Sequence, residues 1–212
     1  MSQIKGFVFD LDGVIVSTDK YHYLAWKAIA DQEGIYFDEQ INNRLRGVSR
    51  MASLDIVLEK AHKEYTQEEK VALAAAKNDI YRESLNELKE TDRLPGVTDT
   101  LNYLKNKGYK LSIGSSSKNT PLILKKIGLD TFFDAVSDGN NITYSKPNPE
   151  VFLKAAEMIG LKPEECVVVE DSTAGIEAAN NGSFLSVAIG DARKIKSSTY
   201  EINSMDELIK LF

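Results

Sequence analysis

Short apolar runs recur along the chain at residues 4–9, 110–115, about 135–137, 166–170 and 185–189. From the second onward they alternate with helix-like segments at 97–107, 120–127, 149–159 and 173–181. Apolar strands alternating with helices indicate an α/β fold, a parallel sheet covered on both faces. Residues from about 17 to 92 break that rhythm and read as successive helices with almost no strand signal. The first strand is therefore expected to be separated from the rest by a helical insert, a cap on the sheet-bearing core. Val14–Ser17 and Leu94-Pro95-Gly96 mark the boundaries, since proline and glycine stop the last cap helix. This assigns 1–16 and 94–212 to the core and 17–93 to the cap, within a length that suits one large domain carrying a smaller one.

Ligands of open parallel sheets bind beyond the carboxyl ends of the strands, and polar clusters stand at four such ends. Asp10 and Asp12 close the first run, two positions apart and directly before Gly13. If the chain stays extended through Leu11, both carboxylates face one side. Burying two unpaired carboxylates calls for a cation or a proton nearby; one can then act as nucleophile or metal ligand while the other handles a proton. Ser115-Ser116-Ser117-Lys118-Asn119 follow the second run, Lys146 the third, and Glu170-Asp171-Ser172 the fourth. Asp10, Asp12, Glu170 and Asp171 together suit Mg²⁺, a hard ion that takes oxygen ligands and bridges phosphate oxygens. His22 and His62 are too far apart for a local zinc pattern, and Cys166 is read as a buried mid-strand thiol.

The remaining candidates are basic or polar. Lys146, held between a short strand and two prolines, can neutralise a phosphoryl group and an attacking aspartate. Asn119 or Thr120 is expected to cap a helix carrying Pro121 in its first turn, whose N–H groups bind anions. Gly47-Val48-Ser49-Arg50 reads as a tight turn, a cap and a new helix. Arginine is misplaced for the dipole there unless an anion binds, and Arg50 can grip a phosphate bidentately. A helix over 67–90 is expected to carry an apolar stripe of Val71, Ala74, Tyr81, Leu85 and Leu88, with Asn78 inside it and Lys77 at its rim. His22 and Trp26, four apart on one face, are placed at the cap–core boundary, with His22 positioning rather than reacting.

A formal charge of −6 with no basic block argues against nucleic acid as a main partner. A single cysteine excludes a disulfide within the chain and agrees with a reducing cytoplasm. There is no signal-peptide pattern and no stretch long enough for a bilayer, so a membrane partner is not expected. Neither Gly-x-Gly-x-x-Gly nor Gly-x4-Gly-Lys occurs, which disfavours other nucleotide-binding folds.

Asp-Leu-Asp-Gly-Val at 10–14, Ser115, Lys146-Pro147 and Glu170-Asp171-Ser172 resemble the haloacid dehalogenase superfamily. Tyr21-His22 with Trp26, Gly-Val-Ser-Arg at 47–50, Lys77-Asn78 and Ser-Lys-Asn at 117–119 are similar to its β-phosphoglucomutases, over essentially the whole chain. Ser116 departs from the alanine often found there, but its backbone N–H remains available. The resemblance implies a Rossmann-like core under a four-helix cap, acting as a monomer on a sugar phosphate and its bisphosphate. It implies Asp10 as nucleophile, Asp12 as general acid/base, and Ser115 and Lys146 as shields of the transferring oxygens. Mg²⁺ would be carried by Asp10, the Asp12 carbonyl, Glu170 and Asp171. Arg50, Ser117, Lys118 and Asn119 would hold the other phosphate, with Ser116, Gly47, Val48, Ser49, His22 and Trp26 also lining the substrate site and Lys77 and Asn78 near the sugar. Two alternatives are a sugar-phosphate phosphatase, in which water attacks phospho-Asp10, and a non-catalytic phosphosugar-binding module.

Overall fold

The computed structural model describes residues 3–212. Its sheet has the order β3-β2-β1-β4-β5-β6, with every adjacent pair parallel. The strands are β1 (Gly6–Phe9), β2 (Lys110–Gly114), β3 (Ala135–Ser137), β4 (Cys166–Glu170), β5 (Leu185–Ala188) and β6 (Tyr200–Glu201). Alternation along the central strands splits their side chains between two cores. Phe7, Phe9, Leu111, Ile113, Val167 and Val169 join one cluster, under Val97, Leu101 and Leu104 of α5 (Val97–Asn106). Val8, Cys166 and Val168 join another, under α7 (Glu150–Met158) and α8 (Thr173–Asn181). The sheet covered on both faces is thus found as expected. Cys166 opens β4 rather than sitting mid-strand, and burial pushes its thiol up to about 12. β6 lies outside the expected strands because it is two exposed residues with no apolar run.

The chain order runs outward from β1 through β2 to β3, then returns to the other side of β1 with β4. The switch point therefore lies between β1 and β4, where open α/β sheets form their binding crevice. Register does the rest. Phe9 pairs with Val169 on one side and Ile113 on the other, so Asp10 emerges level with Glu170 and Gly114.

Between β1 and α5 stand α1 (Asp19–Gln32), α2 (Glu39–Asn43), α3 (Arg50–Leu58) and α4 (Gln67–Ser84). They bury their own cluster, which includes Trp26, Ile29, Phe37, Leu54, Val57 and Leu73. The two connections to the sheet run side by side: Val16 bridges Arg93, and the Leu94 amide donates to the Ile15 carbonyl at 2.9 Å. The helix expected over 67–90 stops at Ser84, whose hydroxyl donates back to the Ile80 carbonyl at 3.0 Å. Two short 3₁₀ turns follow, and Leu85 and Leu88 leave the helix path to enter the sheet-side core. The buried face of α4 is Leu73, Ala74, Lys77 and Tyr81; Val71 is 54% exposed. Lys77, not Asn78, is therefore the polar residue inside the stripe. Among the described residues, no helix is long and apolar enough to cross a membrane.

Candidate active site

Lys146 is the pivot of the carboxylate cluster. Its fully buried ammonium donates to Asp10 Oδ1 at 2.5 Å and to Glu170 Oε2 at 2.7 Å. The other Glu170 oxygen accepts the amides of Asp171 and Ser172 and the Ser172 hydroxyl, at 2.8–3.0 Å. Ser172 also caps α8 by accepting from the Gly175 amide, so the helix start and the carboxylate lock each other in place. Burial alone would lower the Lys146 pKa, but Asp10 and Glu170 override it and raise it. Burial pushes Asp10 up to about 7 against the pull of Lys146, and raises Asp171 well above its ordinary value, with Glu170 adding to the effect.

Oxygens of Asp10, Glu170 and Asp171 lie within 4.8 Å of one another. Three carboxylates stand together and the one ammonium beside them bonds only Asp10 and Glu170, a donor set that suits a hard divalent cation. The backbone is shaped around them. Gly13 stands at φ +86°, and a Cβ there would overlap the Asp171 carboxylate; one at Gly175 would overlap Glu170. The residues present fit a metal ion.

Asp12 parts company with this cluster. β1 ends at Phe9, the chain bends at Leu11, and Leu11 is fully buried, so the extended geometry that would align Asp10 with Asp12 is lost. The Asp12 carboxylate instead accepts the Thr18 amide at 2.6 Å and the Thr18 hydroxyl at 2.5 Å. The expectation that four side-chain carboxylates gather at the sheet end is corrected to three. Burial raises Asp12 to about 6, with the Thr18 bonds opposing. Since the single Thr18 hydroxyl proton goes to Asp12, the Tyr81 hydroxyl at 2.9 Å donates to Thr18.

Beyond Asp12 lies a second buried chain. Lys77 Nζ is 2.8 Å from His22 Nδ1 and stands over the rings of Trp26 (4.9 Å) and Tyr81 (4.5 Å). When Lys77 is protonated it only donates, so His22 Nδ1 then accepts and its Nε2–H faces Asp12 Oδ2, 3.8 Å away. Burial lowers Lys77 to about 7, with Arg50 adding to the shift, and burial likewise holds His22 well below its ordinary value. The unfolded chain therefore binds the extra proton between pH 7 and 10.5, and Lys77 costs the folded state most below pH 7. Lys77→Met is expected to raise the melting temperature most at pH 6–7, by roughly 5 °C. That gain should fade toward pH 10; a constant gain across the range would show that Lys77 is not held neutral by burial.

The opposite wall comes from three loops. Gly47-Val48-Ser49 turn into α3, and Ser49 caps it by accepting the Ala52 amide at 3.2 Å, as expected. Arg50 is half-buried and, among the described residues, makes no hydrogen bond or ion pair; burial lowers its pKa. Ser115, Ser117 and Thr120 fold the strand end back on itself: the Ser117 amide donates to Ser115 Oγ, the Asn119 amide to Ser117 Oγ, and the Thr120 hydroxyl to the Ser117 carbonyl. Ser116 Oγ reaches across to the Gly47 carbonyl at 3.2 Å. Asn119 sits at the cap position of α6 (Thr120–Lys126), yet neither it nor Thr120 makes a side-chain cap. The Asn119 side chain turns to α4 instead.

Most of these groups open on one cavity of about 520 Å³. Asp10, Asp12, His22, Trp26, Gly47, Val48, Ser49, Arg50 and Lys77 line it, as do Ser115, Ser116, Ser117, Lys118, Asn119 and Asp171. Lys146 and Glu170 stand outside the lining, and so does Asn78, which was expected near the sugar. Asn78 accepts from Asn119 Nδ2 at 2.9 Å. Sequence reasoning missed Thr18, Tyr81, Arg46 and Ser53. Ser53 is buried on the cavity wall three residues after Arg50, a helical spacing that marks a shared face. Arg46 lines the rim and pairs with Asp19 beside it and, at 2.9 Å, with Asp191 after β5, joining the helical layer to the sheet. Nothing local in the sequence links those three residues.

The model of the haloacid dehalogenase-like hydrolases matches residues 4–182. The chain is 38% identical over 207 residues to a β-phosphoglucomutase of Bacillus subtilis (strain 168), covering 97% of this chain and 92% of that one. It is 30% identical to a fructose-1-phosphate phosphatase of Escherichia coli (strain K12), covering 82% and 90%. A crystal structure of a β-phosphoglucomutase from Clostridium difficile superposes with a TM-score of 0.92 at 37% identity, covering 97% and 93% of the two chains. With its motifs at the ends of β1, β2 and β4 around Lys146 and a family match over most of its length, the chain belongs to the haloacid dehalogenase-like hydrolases.

Proposed function

We propose that the protein is a Mg²⁺-dependent β-phosphoglucomutase, interconverting β-D-glucose 1-phosphate and D-glucose 6-phosphate through phospho-Asp10 and a 1,6-bisphosphate. The observation that carries this reading is that one cavity holds two anion sites. Asp10 and Asp171 on the wall, with Lys146 and Glu170 behind them and the Mg²⁺ they would hold, form one, and Arg50, without an ionic partner among the described residues, forms the other with Ser117, Lys118 and Asn119. A phosphatase needs only the first. A mutase must hold a bisphosphate by either end.

In this reading an Asp10 oxygen attacks phosphorus of the bisphosphate, the P–O(sugar) bond breaks, and the departing oxygen takes a proton from Asp12. In the reverse direction Asp12 removes the proton of the sugar hydroxyl as that oxygen attacks phospho-Asp10. The Thr18 bonds hold the Asp12 carboxylate away from the Asp10 cluster, so Asp12 must turn to serve, and His22 with Lys77 stands beside it. Asp10, the Asp12 backbone carbonyl, Glu170 and Asp171 would hold Mg²⁺, whose charge would shield the transferring oxygens. Lys146 neutralises the attacking carboxylate, while Ser115 and the backbone of Ser116 face the phosphoryl group. Trp26 and Val48 wall the sugar from water, and the contacts of Gly47 and Ser49 set the turn that carries Arg50. Closure of segment 17–93 over the core separates transfer to sugar from transfer to water.

Incubation with β-D-glucose 1-phosphate, Mg²⁺ and a trace of the 1,6-bisphosphate is expected to yield glucose 6-phosphate; release of inorganic phosphate as the main product would make the enzyme a phosphatase. Arg50→Ala should lower mutase kcat/KM by about 10–100-fold, the worth of a charged hydrogen bond. It should leave hydrolysis of a small phosphoester within about 3-fold. Equal losses on both substrates would remove Arg50 from the second phosphate site.

A further inference from the structure

Asn119 is 5% exposed and lines the cavity, and its side-chain amide is committed at both ends. Arg82 Nη1 donates to Asn119 Oδ1 at 3.2 Å, and Asn119 Nδ2 donates to Asn78 Oδ1 at 2.9 Å. Asn78 and Arg82 lie four residues apart on α4, hence on one face of that helix. The bonds therefore join the helical layer to the loop after β2. Arg82 itself is exposed and does not line the cavity.

The chemistry of an amide makes this arrangement consequential. A carboxamide presents an acceptor at one end and two donors at the other, and its neighbours decide which way round it sits. Asparagine neighbours accept either orientation; a guanidinium accepts one, because it donates and never accepts. Arg82 thus forces Oδ1 toward itself. Asn78 takes one of the two Nδ2 protons and leaves the other free. An anion site is served by that free N–H and harmed by the carbonyl that a flipped amide would offer.

We propose that Arg82 is a positioning residue that sets the polarity of the Asn119 amide, so that the cavity presents a donor to the phosphate not being transferred. This rests on the assignment of Arg50, Ser117, Lys118 and Asn119 to that phosphate. Because the link spans α4 and the β2 loop, the amide is oriented only when the two are brought together. Recognition of the second phosphate is thereby tied to the closed arrangement.

The test uses Arg82→Leu, Arg82→Lys, Asn119→Ala and the Arg82→Leu/Asn119→Ala pair, with KM and kcat measured on β-D-glucose 1-phosphate and hydrolysis of a small phosphoester as control. Arg82→Leu is expected to raise KM about 5–30-fold with kcat within about 2-fold, as expected for one oriented hydrogen bond lost. Arg82→Lys, again a pure donor, should recover most of the loss. The double variant should be no worse than Asn119→Ala alone, the mark of action through Asn119. Hydrolysis of the small phosphoester, which has no second phosphate, should be unaffected by the Arg82 substitutions. An unchanged KM in Arg82→Leu while Arg50→Ala still raises it would overturn the inference and leave the phosphate site standing, as would losses that add fully in the double variant. If Arg50→Ala and Asn119→Ala also leave KM unchanged, the second phosphate site itself is wrong and the inference falls with it.

Discussion

Asp10→Asn is expected to take up no phosphoryl group and to lose mutase activity by more than about 10⁴-fold, the scale seen when a covalent nucleophile is removed. The substitution keeps the shape of a side chain that is 7% exposed and packed at the end of β1, so the fold should survive. What changes is chemistry. A carboxylate oxygen shares its negative charge with phosphorus as the bond forms, whereas an amide oxygen is a weak nucleophile and the amide nitrogen has no free pair to give. The new NH₂ group also risks facing the Lys146 ammonium, donor against donor, where the parent has an ion pair at 2.5 Å. Mass spectrometry after incubation with the 1,6-bisphosphate reads the outcome directly: a gain of one phosphoryl group in the variant, at the parent's level, would remove Asp10 as the nucleophile.

Lys146→Met should be the most damaging single change to the fold at this site. The ammonium is fully buried and touches two carboxylates, one of them Glu170 at 1% side-chain exposure. Removing one partner of a buried ion pair leaves the others uncompensated and costs about 3–5 kcal/mol. Glu170 keeps its bonds to the Asp171 and Ser172 amides, which moderates the penalty on that side. Asp10 has no such substitute and must draw a proton to stay buried, which also blunts it as a nucleophile. A further loss of about 10²–10³ in kcat follows from the missing charge on the transferring group. Denaturant unfolding at pH 7 and steady-state rates test the two effects separately; a variant as stable as the parent would mean that Lys146 is not what holds the carboxylates together.

The sheet was legible because each central strand is an apolar run bounded by helix signals, and its polar ends were legible because Asp10 and Ser115 each follow such a run and Glu170 closes one; Lys146, expected at the end of the third strand, stands in the loop well beyond β3. The Ser49 cap before Arg50 was equally readable, being a contact between near neighbours. Errors fell where packing outweighed local pattern. Leu85 and Leu88 keep helical spacing with Tyr81, yet they pack into the sheet-side core and the helix ends before them. Asn119 has the right residue type and position for a cap, yet Asn78 and Arg82 bid for its amide from another element and win.

The order of residues alone determined the alternation of strand and helix, the insertion after the first strand, and the residue types available for phosphoryl chemistry, because these depend on periodicity and on neighbours a few positions apart. Only the tertiary structure decided that Asp12 leaves the carboxylate cluster for Thr18, that Lys77 rather than Asn78 is buried against Trp26 and Tyr81, and that Arg46 and Arg82 join the two layers. Those outcomes come from bonds between groups up to 145 residues apart, as between Arg46 and Asp191. Distance along a chain carries no record of them; they exist once the strands have registered and the helices have been laid over their ends.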